Sequence, residues 1–398
     1  MEASADAFVL AATERRRTRA EAMLAERPEI ADDPWAALVL GRTWHGDPST
    51  PGGPRGWAPI LYVCHSCFPS ASLARELLDR GADPNASFEN EYGSMSALYG
   101  AAGVAHDPDL TRVLLEAGAN PDDNESLYHS TESRDTACLE LLLAHGAETR
   151  GTNALAHALD DERVEHVRLL LEAGADANEH AHVAHAVRRG RGPEVVRLLA
   201  EHGADLDRPG GETWRGNVPL RTPYQHARLR GRGDVAATLA ELGASTELEP
   251  ADAVIESLAR GERPTTPLPE TFDVDQQEVI VLAALRGHLD TVVDAVGPGF
   301  RGVVGGSPEG SLVEHAAWVG DAARVERLLG LGAEPGAALG WTAHGSRNHG
   351  APGREYVAVA ELLVAAGARV GPGLLDDAEG PLYKWLEHHA GVRPQSDT

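Results

Sequence analysis

The segment from Leu139 to Gly190 states one pattern twice. Leu141-Leu142-Leu143 is followed, after Ala144-His145, by Gly146-Ala147, and 28 residues later Leu169-Leu170-Leu171, Glu172-Ala173 and Gly174-Ala175 repeat it. Between the two copies lies a short helical pattern, Ala154-Leu155-Ala156-His157-Ala158. A unit of that length cannot bury its apolar face alone. Copies must stack, so the chain is constrained to an array in which each unit touches its neighbours.

The same phase recurs along most of the sequence. Leu77-Leu78 leads to Gly81-Ala82, Leu114-Leu115 to Gly118-Ala119, Leu198-Leu199 to Gly203-Ala204, Leu239 to Gly243-Ala244, Leu328-Leu329 to Gly332-Ala333, and Leu362-Leu363 to Gly367-Ala368. The glycine after each apolar run suits a left-handed helix C-cap. Small residues in the shorter, preceding helix let neighbouring helices approach. The hydrophobic share is 42% but the aromatic share only 5%, so the core is built from Leu, Val and Ala.

Thr222-Pro223-Tyr224-Gln225-His226-Ala227 and the turn Gly287-His288-Leu289-Asp290, together with the recurring Leu-Leu-x-x-Gly-Ala half, resemble the ankyrin repeat. The resemblance covers most of the chain, although most units lack the Thr-Pro pair. It implies an all-α solenoid of helix–turn–helix units joined by β-hairpin-like loops, with protein–protein recognition as its usual use. Residues 1–34 read as an N-terminal capping repeat, 35–250 as a first array, and 251–398 as a second array closed by a C-terminal capping helix. His45 to Gly56, Phe88 to Tyr92 and Gly345 to Arg354 read as inserted loops.

Charge and cysteine content narrow the partners. Thirty-five basic against 61 acidic side chains give a net charge of −26. Such a surface repels nucleic acid and anionic membranes, and favours either a protein or peptide partner of basic character or simply solubility, the blander reading being preferred. Cys64, Cys67 and Cys138 provide no disulfide framework. The start of the sequence lacks a signal-peptide pattern, and the apolar run Val279 to Leu285 is far short of a membrane span. The expected setting is a reducing cytoplasm.

Aligned units place His129, His157, His185, His226 and His315 just before the mid-helix small residue, with Tyr62, Tyr99 and Tyr128 beside that column. In an ankyrin-type stack this column lies near the concave face. One reading makes it a ligand or proton-transfer surface, because His titrates near neutrality and Tyr can donate. The other makes each His a half-buried filler where Leu or an aromatic usually sits. The column runs on to His315, beyond any single compact site, which favours packing.

Cys64-His65-Ser66-Cys67 lacks a second cysteine pair for zinc and sits inside a first helix, which points to a structural role. His180, His182 and His185 could chelate a metal, but His180 falls on the hairpin and His185 in the column, and exposed hairpin histidines are the favoured reading; Asp122-Asp123 and Asp160-Asp161 read as solvated turns or helix starts. No metal site or cofactor is expected.

Two functions follow as expectations. The first is an adaptor binding a protein or peptide in its groove through Trp57, Tyr62, His65, Phe88, Tyr92, Tyr99, Tyr128, His157, His185, Trp214 and His226. The alternative is a cofactor-independent enzyme or small-molecule binder, with Tyr128, His129, His157, His185 and His226 as candidate acid–base groups.

Overall fold

In a computed structural model, helices are built as the repeat requires. The structure describes residues 4–390 except 124, 162, 212–218, 306, 349–352 and 372. The helix Val164–Glu172 shows how one unit closes. Val167, Leu170 and Leu171 are buried on one face. Gly174 then takes φ +96°, and the Ala175 amide turns back to donate to the Leu170 carbonyl at 3.0 Å. That six-residue return closes the helix and tucks Ala175 under it. The same bond joins Ala82 to Leu77, Ala119 to Leu114, Ala147 to Leu142, Ala204 to Leu199, Ala244 to Leu239, Ala333 to Leu328 and Ala368 to Leu363. The Gly-Ala signature is therefore a helix stop.

Starts are equally local. Ser70, Asp107 and Asp321 cap their helices with a side-chain oxygen. Thr222 with Gln225, Asp273 with Gln276 and Ser311 with Glu314 form reciprocal capping boxes. Between helices, Ser87–Asn90 pairs antiparallel with Gly93–Ser96, placing Phe88 opposite Met95. Arg301–Gly302 pairs with Gly310–Ser311, and single bridges join Gly52 to Trp57 and Gly210 to Arg221. The architecture is an all-α solenoid with short hairpins.

The chain forms two compact units, Met1–Asp205 and Leu206–Thr398. In the first, Leu77, Leu98, Leu110, Leu114, Leu139 and Leu142 are fully buried. In the second, Ile255, Ile280, Val313, Leu328, Val359 and Leu363 belong to one core.

Three sequence expectations need correction. The segment read as an inserted loop from Gly345 is helical through Asn348, as the end of the helix Ala338–Asn348. Gly345 is there because any Cβ would stand 2.1 Å from the Trp318 carbonyl oxygen, so glycine serves close helix packing. Phe88 to Tyr92 is a paired hairpin, with Tyr92 at its tip. His182, read as exposed, is buried at the start of the helix His182–Arg188.

Candidate functional site: a first-helix row of rings and carboxylates

The Tyr/His column divides into two chemically different halves. At Tyr62, His226 and His315 a hairpin or bridge precedes the first helix, and the column residue is buried and reaches back to it. The Tyr62 hydroxyl donates to the Gly52 carbonyl at 2.8 Å and accepts from the Arg55 amide at 2.9 Å. In the second unit, His226 Nε2 meets the Gly210 carbonyl at 2.8 Å and His315 Nε2 meets the Gly302 carbonyl at 3.0 Å. A carbonyl only accepts, so Nε2 carries the proton in each. His65 does the same for the Ser96 carbonyl at 2.9 Å, occupying space that a Cβ on Gly100 would invade at 2.7 Å. Burial pushes His65 down to about 4, and lowers His315 as well. These groups clamp hairpins.

Where no hairpin precedes the helix, the column is half-exposed and meets acids. His129 Nδ1 donates to Glu132 at 2.7 Å, and its Nε2 lies 3.2 Å from Glu125. The Thr131 hydroxyl donates to the Tyr128 carbonyl at 2.7 Å, so His157 Nδ1 donates to Thr131, also at 2.7 Å. His157 Nε2 lies 3.8 Å from Glu132. His185 Nε2 donates to Asp160 at 2.8 Å, on the same oxygen that Arg189 approaches at 2.7 Å. The rings form a continuous line: Tyr99 to His129 at 5.2 Å, His129 to Tyr128 at 4.8 Å, and Tyr128 stacked on His157 at 4.1 Å.

The electrostatics follow from half-burial beside carboxylates. Burial, then Asp160, Glu132 and Glu125, raise the Tyr128 phenol. Burial, then Glu125, Glu132 and Asp123, raise Tyr99. Burial lowers His157 against the pull of Glu132 and Asp160. Burial opposes ionisation of Asp160, but the hydrogen bond from His185 prevails and its carboxyl falls below the usual range. The row presents neutral phenols and anionic carboxylates side by side.

Residues 98–181, which carry this row, match the family model for ankyrin repeats (3 copies). Residues 98–181 are ankyrin repeats. Similar solved structures include the human ASB11 ankyrin repeat domain, 20% identical, covering 60% of this chain and 98% of that one with a TM-score of 0.42. The ankyrin repeat domain of Bcl-3 is 25% identical, covering 44% and 82%, TM-score 0.36. One from Acinetobacter baumannii AYE is 27% identical, covering 44% and 93%, TM-score 0.37. No curated protein matches the sequence. Ankyrin repeats are in general protein–protein interaction modules.

The other expected site residues lie at different points of the ankyrin array. Trp57 stacks on Phe88 at 4.0 Å, with the Arg55 guanidinium 4.9 Å from the Trp57 ring centre. Trp35 and Tyr62 extend that aromatic cluster. Tyr92 projects from its hairpin tip, 81% exposed. Trp214 lies outside the described residues. Cys64, Cys67 and Cys138 are buried, unpaired thiols; burial raises all three, Cys138 to about 11. Among the described residues no group of three or more His, Cys, Asp or Glu is placed to hold a metal, and no helix is long and apolar enough to cross a membrane.

Sequence reasoning passed over Glu125, Glu132 and Arg189, and read Asp160 as a solvated turn or helix start. Glu125 and Glu132 stand four residues before and three after His129, a spacing that places them beside it on a helix. Asp160 precedes His185 by 25 residues, roughly one repeat. Asp123, read as a solvated turn or helix start, accepts from the Ser126 amide at 2.8 Å, just before the helix Ser126–Ser130.

Proposed function

We propose that the chain is a protein-binding module that takes a basic peptide segment along the first-helix row of its first unit. The observation that carries this reading is the half-exposed line of Tyr99, His129, Tyr128 and His157 bordered by Glu125, Glu132 and Asp160. Rings and carboxylates together suit cationic side chains, through charge and through the ring faces. The net charge of −26 steers basic partners and disfavours nucleic acid. The unpaired thiols fit a reducing compartment. Tyr62, His65 and His226 hold hairpins in this reading, and the ligand meets Tyr99, Tyr128, His157 and His185.

The test is an array of 15-residue peptides graded from acidic to basic, probed with the full chain at low and raised salt. Basic peptides should be retained, less so at raised salt. A Glu125→Gln/Glu132→Gln/Asp160→Asn variant should lose most of that retention. Equal capture of acidic peptides, or an unchanged pattern in the variant, would remove this reading.

A further inference from the structure

Tyrosine hydroxyls in this molecule separate into employed and unemployed groups. Tyr62 bonds Gly52 and Arg55, Tyr224 accepts from Arg228, and Tyr356 donates to Trp318. Among the described residues, the hydroxyls of Tyr99 and Tyr128 have no hydrogen-bond partner, although both phenols are half-buried. The carboxylates around them are also half-used. Glu125 approaches His129 with Oε2, Glu132 bonds His129 with Oε1, and Asp160 meets His185 and Arg189 with Oδ1. Their second oxygens make no hydrogen bond among the described residues. Three carboxylates, each with one uncommitted oxygen, and two uncommitted phenols are therefore spread along the row of rings from Tyr99 to His157.

We infer that this stretch is a subsite for an arginine side chain of the partner, in preference to lysine. The inference rests on the basic-peptide reading above and names which basic residue is read. A guanidinium is planar, weakly hydrated and carries five N–H donors, so it can lie along an aromatic face while its edges reach several acceptors. An ammonium offers three donors around a compact, strongly hydrated charge and leaves part of such an acceptor set unmatched. At its end the row already pairs one guanidinium with a carboxylate, where Arg189 Nε meets Asp160 Oδ1 at 2.7 Å.

The experiment titrates the full chain, by calorimetry at low salt, with three acetylated and amidated six-residue peptides. These alternate glycine with arginine, with lysine or with citrulline. The arginine peptide should bind about tenfold more tightly than the lysine peptide, a size typical of a well-placed cation–ring contact. The citrulline peptide, which keeps the shape and loses the charge, should give no measurable binding. Tyr128→Ala should bring the arginine and lysine affinities within about twofold of each other. Should that variant fold poorly by circular dichroism, the near-isosteric Glu132→Gln carries the test and should weaken arginine binding at least about fivefold. Equal affinity for arginine and lysine in the unmodified chain, or an arginine preference that survives both variants, overturns the subsite and leaves the basic-partner reading standing. Failure of both basic peptides to bind overturns the two together.

Discussion

At the scale of single residues, one column of the repeat is used for two purposes. Tyr62, His226 and His315 reach back to hairpin carbonyls, whereas His129, His157 and His185 face carboxylates. His65 belongs to the first group and gives it a pH signature. Burial disfavours its imidazolium, and the bond to Ser96 only partly offsets this, so its value falls from 6.5 to about 4. A lowered histidine binds fewer protons folded than unfolded. Its contribution is intact above pH 6.5 and is lost as pH falls towards 4. Replacing it by Gln should flatten the loss of stability between pH 6.5 and 4.5 by about 2–3 kcal/mol. Urea unfolding of both chains at the two pH values checks this, and identical slopes would contradict it.

The column itself was legible in the sequence. The split was not, because each clamped carbonyl lies in a loop 10 to 16 residues upstream, or in the following unit for His65. The acids flanking His129 were legible by helical spacing alone.

At the scale of elements, the Leu-x-x-x-Gly-Ala stop was fully visible in the sequence, because it is local. Features that depend on tertiary approach were not. Gly345 looks like a loop former and is a contact residue inside a helix. Asp252, Asp275 and Glu256 look solvated and are buried. Glu256 pairs with Arg228 and Arg260, and Asp252 and Asp275 belong to a network in the second unit centred on Arg221. Its guanidinium bonds Asp252 through two contacts at 2.7 and 2.8 Å, Asp273 at 2.7 Å and Asp275 at 3.3 Å. This joins the hairpin that Arg221 closes to the helices Pro250–Ala259 and Val274–Ala283. Removing the cation leaves the buried Asp252 carboxylate without a charge partner. Arg221→Ala should therefore destabilise the second unit by about 3–5 kcal/mol. The exposed pair Arg75–Glu116 is the control, where Arg75→Ala should cost less than about 1 kcal/mol. Chemical denaturation of the two variants compares them, and equal small effects would show that the network contributes little.

At the scale of the whole molecule, repeat period and charge were the two properties the sequence displayed most openly. The period leads to the ankyrin repeats of residues 98–181; the charge of −26 supports the proposed basic partner. Neither locates the binding face, because every unit supplies a first-helix face and a second-helix face. The proposed location rests on the first unit, where the helices Ser126–Ser130, Ala154–Ala158 and His182–Arg188 follow no hairpin among the described residues and expose rings against acids. Hydrogen–deuterium exchange of the full chain, with and without a saturating basic peptide from the array, tests that location directly. Protection is expected within residues 125–132, 154–160 and 182–189. Protection confined to the second helices, at 108–116, 137–144 and 164–172, would contradict it.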